Sequence, residues 1–255
     1  MTVVATVGTT HPLAFAGLAF AMLALADDGI RPVCVVAGVT AQDAKTVTAR
    51  SPVDAATIRA QFAALRDAEV EAFHVGALLS ADSVHAVAEG LASFPDIPVV
   101  VDPVLASTSG DTLADDAART ALRDVLIPRA TLVTPNLDEA CALLGFAVGE
   151  VAAMHQAAEA LVGLGACAAL VKGGHLAGDA IDVLASEHGA HEFRSPRVAG
   201  ALRGTGDLLA VTIAACLARG ASLPEAIEHA RRRVREAIAR GVSFAGTHAA
   251  TFTPN

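Results

Sequence analysis

Apolar and polar positions follow two alternating patterns along the chain. Short, continuous, valine- and alanine-rich runs are separated by longer stretches in which apolar residues recur every three or four positions. The short runs are TVVATV (2–7), PVCVVAGV (32–39), VEAFHVG (70–76), IPVVVDPV (97–104), ATLVTPN (130–136) and ACAALVKGG (166–174). Their continuity predicts strands buried on both faces, as in a parallel sheet. The stretches between them predict helices over 12–26, 54–67 with Asp54 as cap, 80–94, 113–127, 137–145 and 150–165. The alternation breaks once. DAIDVLASEHGAHEFRSPRV (179–198) reads as two strands around Glu187–Ala190, a hairpin at the sheet edge. Helices over 204–219 and 223–240 then close the chain, and the tail from Thr247 shows no pattern. No linker, repeat or low-complexity segment interrupts residues 1–255, which are expected to form a single domain, α/β in class, with a mainly parallel sheet and helices on both faces.

Composition narrows the function. The chain of 255 residues is 53% hydrophobic, with a formal charge of −9 and neither Trp nor Tyr. An acidic chain without stacking aromatics is not built for a nucleic-acid backbone. The basic run Arg231–Arg240 reads as a solvated last helix. Cys34, Cys141, Cys167 and Cys216 form no CxxC pair and lie in apolar runs, so buried free thiols are expected. His188 and His191 belong to the hairpin tip, not to a metal site. The apolar run Pro12–Ala26 has no preceding Lys or Arg and is too short to span a bilayer, which takes about 20 residues. It reads as a buried helix, and the protein as cytoplasmic with no membrane or nucleic-acid partner.

In parallel sheets ligands bind beyond the carboxyl ends of the strands. There the sequence places Asp102 after VVV, Asn136 and Glu139 after LVTP, Lys172 after AALV, and Gly204-Thr205-Gly206-Asp207 at a helix start. Each has a structural alternative: a turn former before Pro103, a capping box, a surface lysine, a helix cap. Together they match a different task. The backbone N–H groups of Gly204 to Asp207 can face an anion at the positive end of a helix. Lys172 suits phosphate oxygens. Glu139, Asn136 and Asp102 suit a Mg²⁺ ion that keeps most of its waters. Asp207 can take a proton from an alcohol. That is the equipment for phosphoryl transfer, in which positioning and charge neutralisation do most of the work.

The motifs DPVLASTSGD, TPNLDEACALLG, LVKGGHL and GTGDLLA resemble, in this order over roughly residues 32–240, the ribokinase superfamily, and within it most of all the hydroxymethylpyrimidine/phosphomethylpyrimidine kinases of thiamine synthesis. The resemblance implies a three-layer α/β/α ribokinase-like fold, ATP with Mg²⁺, a small heteroaromatic alcohol as substrate, and a homodimer. Carried over by motif, Asp207 is the catalytic base, and Gly204, Thr205 and Gly206 form the anion hole. Lys172 contacts the nucleotide phosphates, Asn136, Glu139 and Asp102 lie on the metal–phosphate side, and Gln42 in TAQD matches a pyrimidine-contacting glutamine. Many of these kinases have cysteine at the position of Asp207, whereas aspartate there is typical of ribokinases and pyridoxal kinases. The N-terminal substrate motif is altered. Gly8 remains and Gly17 lies near a family glycine, but Thr10 stands for the first aspartate and Phe20 falls near the second. VGALLS also lacks the methionine usual after its glycine. The expected activity is therefore ATP-dependent phosphorylation of hydroxymethylpyrimidine or its monophosphate. The alternatives are a pyridoxal kinase-like enzyme and a non-catalytic ligand-binding protein of the same fold.

Overall fold

The computed structural model describes residues 1–174, 176 and 178–252. Nine strands form one sheet in the order β3-β2-β1-β4-β5-β6-β7-β8-β9. Its parallel centre is β2 (Arg31–Gln42), β1 (Val3–Thr10), β4 (Ala72–Val75), β5 (Val99–Val101), β6 (Leu132–Val133) and β7 (Ala168–Lys172). Antiparallel β3 (Val47–Pro52) flanks one side, and the predicted hairpin β8 (Ala180–Ser186) and β9 (Gly189–Ser195) the other. The chain leaves β1 toward β2 and β3, then returns to place β4 on the other side of β1. The strand order therefore reverses between β1 and β4, and a ligand crevice is expected beyond their carboxyl ends.

Successive side chains of the central strands enter different layers. Val3, Ala5, Val7, Val99 and Val101 pack on the face covered by α2 (Ala55–Ala64), α3 (Ala81–Leu91), α4 (Asp116–Ala121), α5 (Leu137–Leu144) and α6 (Val151–Gly163). Val4, Val100, Leu132 and Leu170 pack under α1 (Gly17–Asp27), α7 (Thr205–Ala218) and α8 (Leu223–Arg240). This is the expected three-layer α/β/α fold, and it explains why those strands are apolar throughout.

Several elements differ from expectation. The helix placed over Pro12–Ala26 begins only at Gly17. Ala14 and Gly17 have φ values of 49° and 70°, which no helix accommodates, and a Cβ at Gly17 would lie 2.6 Å from the Thr9 carbonyl oxygen. The first third of that apolar run is therefore a loop at the crevice, of which Phe15 is buried and Pro12 exposed. β3 carries no alternation because it is exposed along nearly its whole length. It pairs with the end of β2, which outruns β1 beyond the Thr10–Val39 pair and forms a flap over the carboxyl edge. Its turn is closed by the Asp43 carboxylate, which accepts from the N–H groups of Lys45 and Thr46 at 2.7 and 2.9 Å. The tail contributes a further hairpin, β10 (Val242–Phe244) with β11 (Thr247–Ala249).

The basic helix α8 is not wholly solvated. Arg231 is buried against Asp182 at 2.8 Å, and Arg233 pairs with Asp27 and Asp28. The cysteines are free, but Cys167 is exposed and the other three only half-buried. Among the described residues no helix is long and apolar enough to cross a membrane.

Candidate active site

Three neighbouring strands end in polar residues that meet. Asp102 follows β5, Thr134 follows β6, and Lys172 closes β7. The Asp102 Oδ1 accepts from Lys172 Nζ at 2.8 Å and from Thr134 Oγ1 at 3.0 Å. Asp102 is 2% exposed, so this ion pair is largely cut off from solvent. The Lys172 N–H bonds the Pro135 carbonyl at 2.8 Å and draws the start of α5 alongside. There Asn136 and Glu139 form the reciprocal capping box: Asn136 N–H to Glu139 Oε2 at 2.7 Å, and Glu139 N–H to Asn136 Oδ1 at 2.9 Å. The capping reading of these residues thus holds, and it fixes Glu139 facing the ion pair. Burial pushes the Glu139 pKa up to about 7, against the pull of Lys172, with Asp102 and Asp207 adding to the rise.

The loop before α7 completes the cluster. Gly204, not Asp207, occupies the cap position, with φ of 77°; a side chain there would overlap the Phe15 carbonyl. A Cβ at Gly206 would lie 3.3 Å from both Asp102 Oδ2 and Lys172 Nζ, so the first turn of α7 rests directly on the ion pair. Its leading N–H groups lack intrahelical acceptors, as at any helix start. Asp207 is buried beside the end of β4, where a Cβ at Gly76 would lie 3.6 Å from its Oδ1. Burial, then the Asp102 charge, raises the Asp207 pKa to about 6, while the Gly17 N–H donating to its carboxylate opposes the rise. The unexpected loop before α1 thus positions Asp207. Three carboxylates surround one lysine: an arrangement short of positive charge, with donors aimed at an anion and a carboxylate able to take a proton near neutral pH.

The residues expected to contact substrate are more dispersed. Gly8 is buried in β1 opposite Val36. Gln42 sits on the flap, half-buried, and its side chain meets only the Thr40 hydroxyl, at 3.5 Å, among the described residues. The structure brings in others that the motifs did not single out. His74 on β4 is fully buried between the layers, with Nδ1 2.9 Å from Thr6 Oγ1 and Nε2 without a partner among the described residues. Burial lowers its pKa to about 4. A lone histidine inside the apolar run AFHV was the available signal. Arg203, directly before the glycine loop, reaches the Ala44 carbonyl at the flap tip and lies over the Phe15 ring, 5.1 Å from its centroid.

A family model described as phosphomethylpyrimidine kinase matches residues 14–251. A hydroxymethylpyrimidine/phosphomethylpyrimidine kinase from Streptomyces coelicolor is 40% identical over 227 residues, 88% of this chain and 83% of that protein. Among solved structures, a phosphomethylpyrimidine kinase from Clostridium difficile aligns with a TM-score of 0.83 at 28% identity, over 93% of this chain and all of that one. An ADP complex of Bacillus subtilis pyridoxal kinase aligns with a TM-score of 0.90 at 27% identity, over 100% of this chain and 98% of that one.

Proposed function

The chain belongs to the phosphomethylpyrimidine kinase family, and from that premise we propose that it transfers the γ-phosphoryl group of ATP to hydroxymethylpyrimidine and to its monophosphate. The observation that carries the reading is the convergence of Asp102, Lys172, Glu139 and the Gly204–Asp207 loop on one point beyond the sheet edge. Lys172 and Asn136 face the nucleotide phosphates. The N–H groups of Thr205, Gly206 and Asp207 hold the phosphoryl group in transit, where fixed donors in a water-poor site act most strongly. Asp207 removes the proton of the acceptor hydroxyl as its oxygen attacks phosphorus and the bond to ADP breaks. Gly8 and Gln42 line the acceptor side. The one sheet from β1 to β9 supports treating residues 1–255 as a single kinase domain. A cytoplasmic homodimer is part of the proposal.

The donor set suits Mg²⁺ carried in with the nucleotide. Among the described residues no group of three or more potential ligands is placed to hold a metal ion by itself. Mg²⁺, however, takes one or two carboxylates together with phosphates and water. Asp102 already accepts from Lys172 and Thr134, so Glu139, whose carboxylate accepts only from the Asn136 N–H among the described residues, is the better ligand. When bound, the ion neutralises phosphate charge. Glu139→Gln still accepts from the Asn136 N–H and removes a buried charge, so melting above pH 7 should rise, not fall. Turnover should fall, with partial recovery at raised Mg²⁺. Full activity at ordinary Mg²⁺ would leave Glu139 as a cap only.

A second reading, pyridoxal phosphorylation, is favoured by the aspartate at 207 and by the full-length match to a pyridoxal kinase. Steady-state turnover of hydroxymethylpyrimidine, phosphomethylpyrimidine and pyridoxal with Mg-ATP separates the two. The pyrimidines should be the preferred acceptors. Turnover of pyridoxal alone would reverse the assignment, and turnover of none, with ATP still bound, would favour a non-catalytic binding protein.

A further inference from the structure

Arg203 is 9% exposed and His11 7% exposed. On the α7–α8 side, buried Arg231 and half-buried Arg233 have carboxylate partners. Arg203 forms no ion pair within 4.0 Å among the described residues. Its Nη2 meets the Ala44 carbonyl, while its Nη1 has no partner among the described residues. Beside it, the His11 ring lies 4.6 Å from Phe15; its closest polar neighbour is the Ala16 backbone, and neither ring nitrogen makes a well-formed hydrogen bond among the described residues. Buried cations are ordinarily paired, and buried donors ordinarily bonded. Arg203 reaches the flap at Ala44, two residues from acceptor-side Gln42, and His11 lies beside it on the Phe15 ring. The start of α7 separates them from the nucleotide side, since Gly204 abuts Phe15 whereas Gly206 abuts Lys172.

We propose that His11 and Arg203 form the recognition end of the acceptor site and favour an acceptor that already carries a phosphate monoester over the neutral alcohol. This rests on the kinase reading above. A monoester is close to a dianion at neutral pH and must enter a site that already holds Asp102, Glu139 and Asp207. The Arg203 guanidinium, next in sequence to the anion hole, supplies the missing positive charge and a fork of donors that fits phosphate oxygens. His11, kept neutral by burial, adds one N–H donor. A neutral alcohol would leave Arg203 with only the exposed Asp43 of the flap turn, beyond ion-pair distance, as a counter-charge. In the favoured reaction an ionised phosphate oxygen of the acceptor attacks the γ-phosphorus of a nucleoside triphosphate. The bond to the leaving nucleoside diphosphate breaks, a phosphoanhydride forms, and no proton has to be removed.

The test compares wild type, Arg203→Gln, Arg203→Lys and His11→Asn with hydroxymethylpyrimidine and phosphomethylpyrimidine as acceptors. KM, kcat, ADP affinity and the melting shift given by each pyrimidine are measured. Arg203→Gln should raise KM for phosphomethylpyrimidine about 10- to 100-fold, the effect of a lost charge-assisted bond. The KM ratio between the two acceptors should move with it, while ADP affinity stays put. Arg203→Lys should recover part of the loss. Should Arg203→Gln melt below assay temperature, Arg203→Lys and His11→Asn carry the comparison. An equal rise in KM for both acceptors would overturn the inference and leave Arg203 as a latch for the flap at Ala44. Loss of ADP affinity would overturn it in favour of a nucleotide contact. If wild type turns over neither pyrimidine, yet phosphomethylpyrimidine alone raises its melting temperature through Arg203, the recognition site stands and the kinase reading falls.

Discussion

Asp207→Asn is expected to slow phosphorylation of hydroxymethylpyrimidine by about 10²–10⁴-fold, the usual worth of a positioned acid–base group, and to raise the melting temperature at pH 8. The second effect comes from burial. The Asp207 carboxyl titrates near 6 in the fold instead of 3.8. The native state therefore binds the proton more tightly than the unfolded chain does, and stability falls as pH rises from about 4 to about 6. Above that window the ionised carboxylate costs up to about 3 kcal/mol, at about 1.36 kcal/mol per pKa unit. Asparagine removes that cost and still accepts the Gly17 N–H, so the variant should melt several degrees higher at pH 8 and about equally at pH 4. Capping alone predicts no change at either pH, because Gly204 holds the cap position. The wild-type kcat/KM for the alcohol should drop about tenfold per unit below pH 6 as Asp207 takes up its proton, and the variant should lack that limb. Equal turnover in the two proteins would remove Asp207 from the chemistry.

The fold was legible wherever burial on both faces forces a continuous apolar run. Each of the six parallel strands appears as such a run, and four of the helices between them carry their caps in the sequence: Asp54, Ser80, Asp115, Asn136. The clustered site was legible for the same reason. Asp102, Lys172 and Asp207 interrupt apolar runs at strand ends and at a helix start, where a charge is costly unless something needs it. What escaped is what tertiary contact decides. β3 is exposed, so nothing in its composition distinguishes it from a loop. The stretch 12–16 continues the apolar pattern of α1 without a break, and only the backbone at Ala14 and Gly17 shows that it is not helical. Arg203 reads as a loop residue until Phe15, from nearly 190 positions earlier in the chain, is found beneath it.

Lys172→Met should be the most damaging change in the cluster. Among the described residues it removes the one cation paired with Asp102, whose carboxylate then accepts from Thr134 alone at a position 2% exposed. Breaking a buried ion pair from one side costs about 3–5 kcal/mol, because the remaining charge has no partner. Lys172 also holds down the pKa values of Glu139 and Asp207, so its loss raises both further. The acid limb of kcat/KM should therefore move to higher pH, and turnover at neutral pH should fall even before the proposed phosphate contact is counted. ADP affinity should fall as well, since Lys172 is the point charge beside the N–H groups of α7. The double variant Lys172→Met with Asp102→Asn separates these effects. Asparagine can still accept from Thr134 and carries no charge, so the double variant should melt well above Lys172→Met. It should regain neither ADP affinity nor turnover. If melting and ADP affinity recovered together, Lys172 would be serving only to neutralise Asp102, and its role toward the nucleotide would be wrong.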